Sequence, residues 1–120
     1  MKNHNTPSES EAKNREKLVT YLNSLKKHPD VIEHKGIALS FGVTGYKEIF
    51  RQDAIRRFLE ATTEPTTAST ITKVTGVKQK YVCLLKRKLE KENRIKVAFL
   101  GVCPVTNSRG VQFLSSNITS

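Results

Sequence analysis

A chain of 120 residues, 37% of them apolar and none of them Trp, has room for one domain with a modest core. Its formal net charge of +10 speaks to a polyanionic partner rather than to a fold. No apolar run approaches the roughly 20 residues that span a bilayer. The opening MKNHNTPSESEAKNREK has no apolar stretch behind its lysine to act as a secretory signal, so a cytoplasmic protein without membrane contact is expected.

The charge is unevenly spread. Residues 1–47 hold eight Lys/Arg against five Asp/Glu, net +3; residues 48–77 hold four of each, net 0; residues 78–120 hold nine against two, net +7. Concentration of cations in one segment favours nucleic acid over a merely soluble surface. An anionic membrane is the weaker candidate, because the basic segment lacks a bulky aromatic face.

Residues 1–10 are polar and read as a disordered tail. From Ser10 to about His28, Leu18, Tyr21, Leu22 and Leu25 recur at helical spacing, and Pro29 stops the pattern. That stripe serves either the domain's own core or a homodimer contact. His28, Asp30, Glu33 and His34 cluster around Pro29, and the expected role is a polar helix end and loop, with no metal. In GIALSFGV, Ile37, Leu39, Phe41 and Val43 alternate with small residues, which predicts a strand. Residues 11–46 would thus form an extension of one helix and one short strand.

Gly45 marks a turn, and from Tyr46 to about Ala61 the helical period returns. Ile49, Phe50, Ala54, Ile55, Phe58 and Leu59 make a broad apolar face, with Glu48, Arg51, Gln52, Arg56 and Arg57 covering the rest. TTEPTTAS is a connector rich in helix caps. A short helix over Ala68–Thr75 follows, anchored by Ile71 and Val74, with Gly76 placed to end it in a left-handed conformation. TGVKQKYVCLLKRKLE, Thr75 to Glu90, then carries five Lys/Arg on an amphipathic period, and Asn93 is placed to end its helix. RIKVAFLGVCPV alternates through Ile95, Val97 and Phe99. TNSRG is a turn cluster, and VQFLS is a return strand, giving an antiparallel hairpin with Arg109 at its tip. Residues 116–120 read as a frayed end. Cys83 and Cys103 lie far apart in sequence and form no zinc-like pair, so both are expected as reduced packing or surface thiols.

The stretch TTASTITKVTGVKQKYVCLLKRKLEKENRI, Thr66 to Ile95, resembles the core of winged helix-turn-helix DNA-binding proteins. The resemblance rests on Ile71 and Val74 in the short helix, the turn Gly76-Val77, the steps Val82, Leu85 and Leu89, and the closing Ile95. It extends over about residues 47–115. It implies an α+β, mainly α, fold: three helices and a C-terminal hairpin wing, here with an extra N-terminal helix and short strand. At about 100° per residue, Val82, Leu85 and Leu89 share one face of the basic helix, residues 78–91. Lys80, Cys83, Leu84, Arg87 and Lys91 then face away.

The resemblance implies that Gln79, Lys80, Cys83 and Arg87 reach base edges in the major groove. Lys78, Lys86 and Lys88, to the sides, suit phosphates, and Arg109 suits a phosphate or the minor groove. Two residues depart from the pattern. Lys78 stands where a Ser or Thr cap is usual. Leu84 is apolar on the reading face, where it meets either a thymine methyl or the N-terminal helix at Leu18, Tyr21 or Leu22. The expected function is a sequence-specific regulator of transcription, or an accessory protein of a mobile element, bound to double-stranded DNA and needing no cofactor. The competing expectation is a winged-helix module that docks protein or RNA. No hydrolase, nucleotide-binding or zinc-protease motif is present, so no catalytic residue is expected.

Overall fold

The structure, a computed structural model, describes residues 9–118. Among these, five helices precede a two-stranded antiparallel sheet, an α+β and mainly α arrangement. The helices are α1 (Glu9–Ser24), α2 (Val31–Ser40), α3 (Lys47–Ala61), α4 (Ala68–Thr75) and α5 (Gln79–Lys91); the strands are β1 (Lys96–Gly101) and β2 (Val111–Ser115). The tail expected over residues 1–10 lies outside the described residues except for Glu9 and Ser10, which begin α1.

α3 is shared by two apolar clusters. Near its start, Phe50 packs with Leu18 and Leu22 of α1, Ala38 of α2 and Val43. Further along, Ala54, Ile55 and Phe58 pack with Ile71 of α4, Val82, Leu85 and Leu89 of α5, Ile95, and Leu114 of β2. The stripe on α1 therefore serves the chain's own core at Leu18 and Leu22, while Tyr21 is 39% exposed and Leu25 is half-buried.

Segment 36–43 corrects the expected strand, because α2 runs through most of it. Asp30 accepts a hydrogen bond from the Ile32 N–H at 3.3 Å, and Glu33 accepts one from the Asp30 N–H at 3.0 Å. This reciprocal capping box starts a helix just after Pro29. At the other end the Val43 N–H reaches the Ala38 carbonyl at 2.9 Å across Gly42, whose φ is 68°. Such a closure needs a residue at ease in the left-handed region. The alternation of Ile37 to Val43 is too short to outweigh two strong helix ends.

α1 also ends earlier than expected, at Ser24 rather than near His28. The carbonyls of Leu22 and Leu25 are taken by Arg57 Nη2, at 2.7 and 3.1 Å. Arg57, expected on the solvent side of α3, is instead 7% exposed. Its Nε donates to Asp53 Oδ2 at 2.8 Å, and His28 Nδ1 lies 2.8 Å from the same oxygen. Arg56 Nη2 donates to Asp53 Oδ1 at 2.7 Å. Burial alone would raise the Asp53 carboxyl, but hydrogen bonds from His28, Arg57 and Arg56 outweigh it and lower it to about 2.

The α4–α5 turn is as the sequence predicts at Gly76, which caps α4 at φ 80°. A second constraint on Gly76 comes from packing. A Cβ there would stand 2.8 Å from Lys27 Cβ and 3.1 Å from the His28 carbonyl. The expected inward pair Ile71 and Val74 is corrected: Val74 is 57% exposed, and Thr75 is buried with Ile71. The hydroxyl of Thr75 makes burial tolerable by donating to the Ile71 carbonyl at 2.6 Å and accepting from the Val77 N–H at 3.1 Å.

The hairpin pairs Lys96 with Ser115 through Gly101 with Val111, and the register shifts between Val97 and Phe99. This irregularity breaks the expected alternation, so Phe99 is 50% exposed and stacks on Phe113 at 4.5 Å. Thr66 and Leu114 exchange two backbone hydrogen bonds, which tie β2 to the α3–α4 connector. Ser116, expected in a frayed end, is held by Thr62 and Leu59 carbonyls at 2.8 and 3.0 Å. Residues 119–120 of that end lie outside the described residues.

Candidate nucleic-acid interface

α5 is positioned from below. Val82, Leu85 and Leu89 are buried at 2% exposure or less, which fixes the rotation of the helix on the core. Its C-terminus closes at Asn93, with φ 59°, through a bond of 2.8 Å from the Arg94 N–H to the Leu89 carbonyl. Its N-cap is Lys78, whose side chain caps no backbone N–H. With the apolar face held down, Gln79, Lys80, Cys83, Leu84, Arg87 and Lys91 are all exposed. Four of them, Lys80, Leu84, Arg87 and Lys91, lie within about 60° of each other around the helix. Leu84 is 54% exposed and is not covered by α1, so the outward face is open.

Ion pairing sorts the cations of this region into two sets. Lys78 lies 3.3 Å from Asp30, Lys86 2.7 Å from Glu90, and Lys88 2.9 Å from Glu92. These are the three lysines expected to grip phosphates from the sides. In Lys86–Glu90 and Lys88–Glu92 the lysine precedes the acid by four residues, the weaker orientation on a helix. Such exposed pairs are worth about 0–1 kcal/mol, so a phosphate can displace the carboxylate. The Asp30 carboxyl is held below its ordinary value by the Ile32 N–H and by Lys78, and Glu92 is lowered by Lys88.

Lys80, Arg87 and Lys91, by contrast, form no ion pair among the described residues. The outward stripe of α5 therefore carries positive charge with no acidic partner among the described residues. The partner that sets how free Lys78 is, Asp30, carried no signal in the sequence, because the pair joins the α2 cap to the α5 cap.

Arg109 is exposed in the loop that joins the strands. That loop is anchored rather than loose. The Cys103 N–H donates to the Ser108 carbonyl at 2.9 Å, the Asn107 N–H donates to the Cys103 carbonyl at 2.8 Å, and Asn107 has φ 60°. Cys103 is buried, with Sγ 3.1 Å from the hydroxyl of Thr67, the residue that caps α4. Hydrogen bonds from Thr106 and Thr67 pull the thiol below its ordinary value. Cys103 thus ties the loop bearing Arg109 to the start of α4, while Cys83 is exposed on α5.

In the His28, Asp30, Glu33 and His34 set the two imidazoles meet edge to face at 5.1 Å, while the two carboxylates are engaged separately. His28 turns to Asp53, Asp30 and Glu33 form the α2 cap, and His34 stacks on Phe50 at 4.0 Å with Nε2 3.1 Å from the Pro29 carbonyl. A cleft of about 340 Å³ between α1 and α3 has Val19, Leu22 and Ile49 in its lining. Of the two carboxylates on its wall, Asp53 is committed to the three donors named above, and Glu48 pairs with Arg51 and accepts from the Gln52 amide at 2.8 Å. No helix among the described residues is long and apolar enough to cross a membrane.

Comparison with protein-family models, with curated proteins and with solved structures finds no match for this chain.

Proposed function

We propose that the chain is a sequence-specific DNA-binding protein of the winged helix-turn-helix type, with α4 and α5 as the helix pair and the β1–β2 hairpin as wing. α5 lies in the major groove, which at about 12 Å admits one helix. Gln79, Lys80, Cys83 and Arg87 face the base edges. Lys91, the paired lysines Lys78, Lys86 and Lys88, and Arg109 on the wing serve the backbone. The observation that carries this reading is the outward stripe of α5, cationic, exposed and without ion pairs among the described residues, directly opposite the buried Val82, Leu85 and Leu89.

A regulator of transcription or a mobile-element accessory protein both need this property. Fluorescence anisotropy with labelled duplexes at 50 and 200 mM salt tests it. Binding that weakens steeply with salt is expected. Absence of binding at 50 mM ends the proposal.

A second reading, a module that docks a protein, is favoured by the hairpin. Phe99, Leu100 and Val102 are each half or more exposed around β1. Leu100→Ser with Val102→Ser separates the two readings, since it removes a protein-docking surface and leaves the DNA stripe intact. Pairing of two copies through α1 would use Val19 and Tyr21, the large apolar residues that α1 leaves exposed. A monomer in sedimentation at micromolar concentration excludes that pairing.

A further inference from the structure

The stripe on α5 contains one element that phosphate binding does not explain. Leu84 is 54% exposed and sits among Lys80, Arg87 and Lys91. Phosphate contact gains nothing from an exposed leucine, because a phosphate offers it no apolar partner. On the floor of the major groove the apolar feature is the C5-methyl of a pyrimidine.

The axial spacing fits such a contact. Leu84 lies about 6 Å along the helix from Lys80 and about 4.5 Å from Arg87, at 1.5 Å per residue. A base step rises about 3.4 Å, so both cations fall within two steps of the base that Leu84 meets. Arg and Lys prefer the O6 and N7 acceptors of guanine.

We propose that Leu84 reads a pyrimidine C5-methyl in the major groove, with Lys80 and Arg87 on guanines to either side. This inference rests on the DNA-binding reading above. Thymine and 5-methylcytosine both present the methyl, and they differ in the adjoining O4 acceptor or N4 donor. Cys83, one residue earlier and also exposed, offers only a weak S–H donor to that position.

The test begins with selection of preferred duplexes from a random DNA pool by the full chain. Each thymine of the preferred duplex is then replaced in turn by deoxyuridine, which lacks the methyl. In a second arm each CpG cytosine is replaced by 5-methylcytosine. Affinity is read by fluorescence anisotropy at fixed salt.

At one position, loss of the thymine methyl or gain of the cytosine methyl is expected to change affinity about fourfold, the worth of one buried methyl. The arm that responds identifies the source of the methyl. In Leu84→Ala that sensitivity disappears while the salt slope stays as it was, because no charge has changed. Alanine on an exposed helix position keeps the fold. Bound duplexes with no sequence preference, affinity indifferent to every methyl, or sensitivity that survives in Leu84→Ala each overturn the inference and leave DNA binding standing. A pool from which nothing is retained overturns both.

Discussion

Replacing Lys91 and Arg109 together with alanine removes the two cations proposed to meet phosphates, one on α5 and one on the hairpin loop, that have no ion pair among the described residues. Each phosphate neutralised adds about −0.9 to the slope of log affinity against log salt, so these two contacts supply about −1.8 of it. Between 50 and 200 mM that share of the slope is worth about 12-fold in affinity, which the double variant should no longer lose. The matched control is Lys86→Gln with Lys88→Gln, whose lysines are already paired with Glu90 and Glu92. Both double variants lower the net charge by two, from +10 to +8. Net charge alone therefore predicts equal effects, whereas the ion pairing of Lys86 and Lys88 predicts that the control shifts the slope by less than half as much. Anisotropy with one labelled duplex across a salt series measures all three proteins. Melting temperatures should agree closely, since these are surface substitutions. Equal slopes for the two variants would overturn this expectation, because the pairing of the charge would then not matter.

Further outcomes follow from the packing. The folded Asp53 carboxyl titrates near 2 instead of its ordinary 3.8, so its links add stability above about pH 4 that is lost as pH falls towards 2. Asp53→Asn should cost about 2 kcal/mol at pH 7 and flatten the acid limb of a urea-midpoint series; an unchanged acid limb removes the network from the account. Gly76→Ala should destabilise by about 2–3 kcal/mol, from the left-handed backbone and the 2.8 Å approach to Lys27, whereas Gly36→Ala on open α2 should stabilise by roughly 0.5–1 kcal/mol. Equal denaturation midpoints for those two variants would contradict the packing at Gly76. Cys83 should react with a thiol reagent at once and be protected by bound duplex, and Cys103 should react only on unfolding. Fast labelling of Cys103 in the folded chain would show that the hairpin loop is not anchored on Thr67.

Local chemistry made α3, α4 and α5 legible, because each carries a long apolar period or a strong end signal. Gly76, Asn93 and the steps Val82, Leu85 and Leu89 belong to this class. The outward face of α5 follows from them, since burying one side of a helix determines which residues point the other way. α2 was legible in principle: Asp30 and Glu33 are a capping box and Gly42 a helix-ending glycine, but the short alternation of Ile37 to Val43 mimicked a strand.

Other features were decided only by tertiary structure. Thr75 displaced Val74 from the core because its hydroxyl finds two backbone partners when buried. α1 ended at Ser24 because a guanidinium from α3 took the Leu22 and Leu25 carbonyls, and Phe99 turned outward because β1 changes register. The division of the α5 lysines into paired and free is of both kinds. Glu90 and Glu92 are near neighbours in sequence, while Asp30 comes from another helix. Segment composition alone locates the concentrated positive charge, and helical periodicity alone tells which side of α5 is apolar. Which cations remain free for a ligand, and whether Leu84 stands open among them, depended on what the rest of the chain packs beside them.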